Sequence, residues 1–444
     1  MLKKGNKKLL NAWAFYDWAN SVYPLVISTA IFPIFYGFIT EDYINFYGYT
    51  FKSTALITYL TTFSFLILVL ITPLLSGIAD YSGSKKWFMK LFCYIGSFSC
   101  IFLYNFDLEN LETGLFFYFL ALIGFWASLV FYNSYLPDIA EKKQQDAISA
   151  KGYAMGYIGS VLLLFVNLLM VNFPEKFNIS ADAQFPAEII AMKYSFITVG
   201  VWWFLFSQYT FYFLPGKKHY QSIKNIDEKK GNIIFKGFQE LKQVWISLKD
   251  KPLLKTFLIS FFIYSIALQT VILVATYFGE SEINWSDGDK TSGLIISILL
   301  IQLVAVLGSV LSAKLSKSLG SIPTLILFNI AWCLLCIYGY FLYEPIEFYF
   351  AAGFLGLSMG GIQAISRSTF SKFLPQTSNS TSFFSFYDVA QKLSIVIGTF
   401  LFATIDQITG SMRNSILLFV SFFIIGTIVL FKLNKMKSSL DSIG

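Results

Sequence analysis

Ser76-Gly77-Ile78-Ala79-Asp80-Tyr81-Ser82-Gly83-Ser84-Lys85-Lys86 is a short polar turn between two long apolar runs, 53–79 and 87–105. A helix needs about 20 mostly apolar residues to cross a bilayer, and each run meets that requirement closely. Gly83 permits a tight reversal, Asp80 stands at the end of the first run, and the Lys pair opens the second. The stretch therefore reads as two membrane helices joined by a turn at the membrane surface.

The same criterion, carried outward, gives twelve apolar segments. They lie near 12–39, 53–79, 87–105, 113–135, 150–172, 192–214, 253–278, 291–313, 322–343, 346–366, 381–405 and 411–432. Pro137, Pro174, Pro186, Pro215, Pro252, Pro323, Pro345 and Pro375 fall at or beyond the ends of these segments. Only Pro24, Pro33 and Pro73 lie inside, where membrane helices tolerate kinks. Composition agrees: of 444 residues, 56% are hydrophobic and 13% charged, with a mean hydropathy of +0.62. Soluble chains carry about 25% charged residues, and so few charges could not cover this much apolar surface. The start imitates a secretory signal, Lys-rich ahead of an apolar run. However, Asp17 and Asn20 interrupt the run and no small-residue cleavage site follows, so it reads as the first span. The expected fold is an all-α membrane protein.

Several functions drop out by count. Only Arg367 and Arg413 among the 33 basic residues are Arg, and the Lys residues sit between apolar runs, which excludes a nucleic-acid surface despite the net charge of +7. A single His, His219, leaves neither a His-rich metal site nor a Ser/His triad; no metal or cofactor is expected, and a membrane-embedded enzyme is disfavoured. Cys333-Leu-Leu-Cys336 has redox spacing but, like Cys93 and Cys100, lies in an apolar run and reads as small core side chains. No Gly-x-x-x-x-Gly-Lys-Ser/Thr loop offers ATP.

Lys and Arg set the expected orientation. With a cytoplasmic N-terminus, 27 basic residues fall inside and 5 outside, and the outer loops are acidic (Glu280, Glu282, Asp287, Asp289). Both termini are then cytoplasmic, in a cell (inner) membrane. The long inside segment divides the chain into 1–215, a linker 216–251, and 252–444, two halves of six spans each. Within the linker, Phe235, Phe238, Leu241, Val244, Trp245 and Leu248 recur at helical spacing opposite Lys236, Glu240, Lys242 and Lys249. That pattern fits either a helix lying on the leaflet or one packed on the bundle.

The turn at Ser76–Lys86 resembles the loop signature of the major facilitator superfamily, Gly-x-Leu-Ala-Asp-Arg-x-Gly-Arg-Lys, with Ser76, Tyr81 and Ser84 as departures. The matching loop of the second half, Lys314-Leu-Ser-Lys-Ser-Leu-Gly320, has no acid. Tyr16-Asp17-Trp18-Ala19-Asn20-Ser21 is similar to the hallmark of the superfamily's vacuole-effluxer branch, typed by fungal vacuolar amino-acid exporters linked to autophagy and including many bacterial members. Phe131-Tyr-Asn-Ser-Tyr-Leu-Pro-Asp138, Lys151-Gly-Tyr-Ala-Met-Gly-Tyr-Ile-Gly159, Gly360-Gly-Ile-Gln-Ala-Ile-Ser-Arg-Ser368 and Thr409-Gly-Ser-Met-Arg413 extend the resemblance through both halves. Span seven departs: Tyr264-Ser-Ile-Ala-Leu-Gln-Thr270 has Ile266 where relatives carry an acid.

The resemblance implies the major facilitator fold, with spans one, four, seven and ten lining a central cavity, and secondary transport by rocking of the halves. The expected substrate pathway is Asp17, Asn20 and Tyr23 on span one, Asn133 on four, Gln269 on seven, Gln363 and Arg367 on ten, and Asp388 and Lys392 on eleven. Asp80, Gly83, Lys85 and Lys86 form the expected gating loop, with Asp80 latched near the start of span eleven. A mid-membrane charge costs about 2.5–3.5 kcal/mol, so such groups should face water or each other, although Asp17 and Arg367 lie near span ends and could instead reach the interface. Asp388 and Lys392, four residues apart, are spaced to pair; Lys392 is expected to meet a solute carboxylate and Asp17 its amine. The expected function is export of a small polar solute, amino acids foremost, by a monomer in the lipid bilayer that is coupled, if at all, to a proton or sodium ion. Export of amphipathic organic compounds is the alternative within the class, and a transport-inactive receptor or scaffold the alternative outside it.

Overall fold

The computed structural model describes residues 3–216, 233–286, 290–375 and 379–441. His219, linker residues 217–232, the Lys236 side chain, and Asp287 and Asp289 lie outside the described residues. Among the described residues, twelve helices are long and apolar enough to cross a membrane. They are Lys7–Ile39, Ser53–Ser82, Lys85–Asn105, Leu111–Ile139, Lys142–Asn172 and Ala187–Phe213, then Pro252–Glu282, Ser292–Leu319, Ser321–Tyr340, Pro345–Phe373, Ser380–Thr409 and Met412–Leu440. They form two six-helix halves, each with its own apolar core. Trp13, Phe125 and Trp203 are buried in the first core, and Tyr264, Trp332 and Phe423 in the second.

Two span limits differ usefully from the apolar runs. Span five begins at Lys142 instead of near 150, and span ten runs to Phe373 instead of 366. Both extensions are polar, and their Asp146, Ser149, Arg367 and Lys372 become helix residues facing the other half. An apolar scan stops where the side chains turn polar. The backbone continues because those groups find partners across the bundle.

Span one is not a uniform helix. From Tyr23 to Ile31 its ladder widens to π geometry, with the Phe32 N–H bonded to the Ile27 carbonyl oxygen. Pro24 opens this segment and has no N–H to give, which removes one bond of the tighter ladder there. Beyond span one, an antiparallel hairpin of β1 (Tyr43–Phe46) and β2 (Tyr49–Lys52) leads into span two.

The linker contains a helix, Ile233–Ser247, that packs on the bundle. Gly237 sits so close to Gly77 of span two that a Cβ on either would strike backbone of the other helix. Val244 is buried in the second core, Trp245 packs on Phe386 of span eleven at 5.5 Å, and Glu240 accepts from the Asn379 side chain at 2.7 Å. Phe235, Phe238 and Trp245 nevertheless keep more than half their surface outward.

Candidate functional site

The polar bridges described between the halves gather at the end of the bundle that carries both termini, called here the terminal end. Span ten supplies the central one. Arg367, 2% exposed, reaches across to the first half and uses all five guanidinium N–H donors. Nη1 and Nη2 each donate to Asp17 Oδ2 at 3.2 Å, and Nη1 also to Asn133 Oδ1 at 3.2 Å. Nε donates to Ser149 Oγ and Nη2 to the Ser149 carbonyl oxygen, both at 2.9 Å. Trp13, Tyr132 and Tyr153 surround its plane, with ring centroids 4.8, 5.5 and 4.2 Å from the guanidinium carbon. Asp17 accepts a further bond from the Tyr132 hydroxyl at 2.8 Å. Neither Asp17 nor Arg367 reaches for the interface: each meets its charge in the other half. Gly152 makes the approach possible, since a Cβ there would run into Asp17 and crowd Arg367. One turn back on span ten, Gln363 accepts from the Tyr157 hydroxyl of span five at 2.8 Å, and Ser149 donates to the Ala364 carbonyl oxygen at 2.7 Å.

Two flanking seams lie closer to the terminal end. At the seam of spans two and eleven, the Asp80 carboxylate accepts from the backbone N–H of Ser382 at 2.6 Å and of Thr381 at 3.3 Å, in the first turn of span eleven. An acid there meets the positive end of the helix dipole. Gly83, at φ +64°, ends span two in the left-handed conformation that favours glycine. The Lys85 ammonium, 2% exposed, donates to Asp138 at 2.7 Å, Ser380 Oγ at 2.7 Å and the Ser134 carbonyl oxygen at 3.1 Å; Lys86 donates to the Leu214 carbonyl oxygen at 2.7 Å.

The seam of spans five and eight is the pseudo-symmetric counterpart. Its loop, Lys314–Gly320, has no acid of its own, and Asp146 of span five supplies one from the opposite half. Asp146 Oδ2 accepts from Ser316 Oγ at 2.5 Å and Ser321 Oγ at 3.2 Å, and pairs with Lys372 at the end of span ten. The apolar scan missed Asp146 because it placed the residue outside span five; the missing acid of the second loop was the available signal.

The remaining polar residues divide. Lys392 and Asp388 pair on span eleven, both buried, and the Lys392 ammonium lies 5.5 Å from the ring centroid of Trp126 on span four. Lys392 is the thirteenth residue of a 30-residue helix, close to mid-span. Asp17, already held by Arg367 and Tyr132, is not in that pair. Tyr23 turns into its own half against Phe125 and Trp203, and Asn20 is buried with its amide nitrogen unpartnered. Gln269 is buried on span seven; the adjacent Thr270 bonds the Ile266 carbonyl oxygen where span seven closely approaches Gly398 of span eleven.

Two halves of six membrane helices make the fold shared by solved transporters of the major facilitator superfamily. A crystal structure of the Escherichia coli fucose:proton symporter FucP superposes with a TM-score of 0.69 at 14% identity, covering 96% of this chain and 97% of that one. The proton:xylose symporter XylE gives 0.69 at 14% identity, over 96% and 95%. These likenesses are in fold. Residues 5–442 match the family described as "Vacuole effluxer Atg22 like", and the chain belongs to that family. It is similar to an MFS-type transporter of Bacillus subtilis, YxiO, with 31% identity over 431 residues, 97% of this chain and 95% of that protein. Autophagy-related protein 22 of Saccharomyces cerevisiae is 26% identical over 410 residues, 81% of this chain and 74% of its own length. The family and its structural neighbours are transporters, not enzymes.

Proposed function

We propose that the chain exports small zwitterionic solutes, amino acids foremost, by alternating access, with the terminal end facing the cytoplasm. The division 1–215, 216–251 and 252–444 then separates two rocking halves and their strap, working as a monomer. The observation that carries the substrate reading is the Asp388–Lys392 pair: opposite charges, buried near mid-span, against an aromatic face from the other half. When Lys392 turns to a carboxylate, Asp388 is released for the ammonium of the same solute. This replaces Asp17 as the amine partner, since Asp17 is committed to Arg367. Asp17, Asn133 and Arg367, together with the loop residues Asp80, Gly83, Lys85 and Lys86, act as the closure on the cytoplasmic side, so that the structure corresponds to a state shut on that side.

The family's description as vacuole effluxers supports export as the direction. The fold's proton symporters make a proton the first coupling ion to examine, ahead of sodium. Counterflow in proteoliposomes tests the reading: an internal pool of unlabelled amino acids should drive uptake of a labelled one, saturably, and a pH gradient should bias it. Saturable movement of an amphipathic organic cation with no amino-acid counterflow would favour the alternative; no flux of either would point to a receptor.

A further inference from the structure

We propose that spans one, five and six hold one anionic phospholipid in a cleft on the outer flank of the first half. The cleft measures about 500 Å³ and is lined by Asn11, Phe15, Lys151, Met155, Phe206 and Tyr209. Its head and its wall differ in chemistry. At the head, toward the terminal end, the exposed Lys151 ammonium donates to Asn11 Oδ1 at 2.7 Å, which takes one of its three donors. Lys7 lies one turn before Asn11 on the same helix face and is also exposed. The wall is apolar and aromatic: the Phe15 ring meets Tyr209 at 5.2 Å and Phe206 at 5.8 Å, both edge-on, and Met155 also lines it.

A cation and an amide above an aromatic trough, on a flank the bilayer covers, fit a ligand with an anionic head and an apolar tail. Basic pockets between spans recognise lipid headgroups in this way. A second copy of the chain fits poorly, since packing another helix here would desolvate Lys151 with no acid among the lining residues to meet it. The Lys151-to-Gly159 motif gains a use that the closure does not explain. Gly152 turns toward Asp17 and Arg367, while Lys151 beside it faces the cleft.

The test is native mass spectrometry of the purified full chain in neutral detergent, titrated with phosphatidylglycerol or phosphatidylcholine of the same chains. One phosphatidylglycerol per chain should be held about fivefold more tightly than phosphatidylcholine. Lys151→Gln should abolish that preference, Lys151→Arg should keep it, and Lys143→Gln, an exposed Lys outside the cleft, should leave it unchanged. Phe206→Ala, which thins the wall but spares the charge, should weaken both lipids. Equal affinity for the two lipids overturns the proposal, as does a preference that survives Lys151→Gln or fails in Lys151→Arg. Displacement of the lipid by glycerol phosphate at equal concentration would mark a free-anion site and overturn it too.

Discussion

Arg367 and Asp17, one from each half, are joined by two guanidinium N–H donors converging on a single carboxylate oxygen at 3.2 Å. Both side chains are buried, so neither charge has water to fall back on.

Removing one partner should therefore cost more than removing both. Arg367→Gln leaves Asp17 buried without its cation and is expected to destabilise the closed arrangement by about 3–5 kcal/mol. Asp17→Asn combined with Arg367→Gln should recover much of that loss. Arg367→Lys should not, because an ammonium cannot serve Asp17, Asn133 and both Ser149 oxygens at once. Thermal melting of the wild type, Asp17→Asn, Arg367→Gln and the double variant in one detergent measures the cycle, with Arg367→Lys alongside, and additive losses would contradict the pairing.

Asp80→Asn removes the charge from two bonds to the first turn of span eleven, and Asp146→Asn does the same at spans five and eight. Each should shift the equilibrium toward opening at the terminal end by about 1.5–3 kcal/mol. The seams share no residue, so the double variant should show nearly the sum. Spin-label distances across each seam report the shift. Substrate affinity should change only through that balance, and lost binding in a variant locked in the competent state would sink the reading of Asp80.

Lys392→Gln should abolish counterflow of solutes with a carboxylate, and Asp388→Asn with Lys392→Gln should fold normally yet remain inactive toward them. If the pair served only to let span eleven insert, the double variant would transport at close to the normal rate. That result would remove Lys392 from the binding site.

Cys substitutions give the orientation directly. Asn45→Cys in the β1 strand and Ser180→Cys between spans five and six, both exposed positions, should react with an impermeant thiol reagent in intact cells. Lys143→Cys at the terminal end should react only after permeabilisation. The reverse pattern would invert the topology.

Much of this architecture is legible in the residues. Apolar run length counts the spans because the bilayer fixes how long each must be. Asp80 and Lys85 announce themselves by position, an acid and a base on either side of a glycine turn. Asp146 does not, because its partners Ser316, Ser321 and Lys372 lie 170 or more residues away, and polarity near a span end reads as loop until the second half is in place. The π segment from Tyr23 is equally hidden: Pro24 marks a disturbance, but hydropathy has the same rhythm whether the ladder tightens or widens. The linker pattern revealed two-sidedness without saying that glycines at 77 and 237 would let one side dock on span two.

That docked helix touches span two through Gly237 and span eleven through Glu240 and Trp245. The molecule thus resembles a door with a strap on one edge. One edge is held by the Asp146 contacts and the bonds of Ser149 and Tyr157 to span ten; the other must also release a segment of its own chain from the bundle. Opening should then acquire an order, the strapped edge being the slower, with its fastening set by whatever acts on the linker.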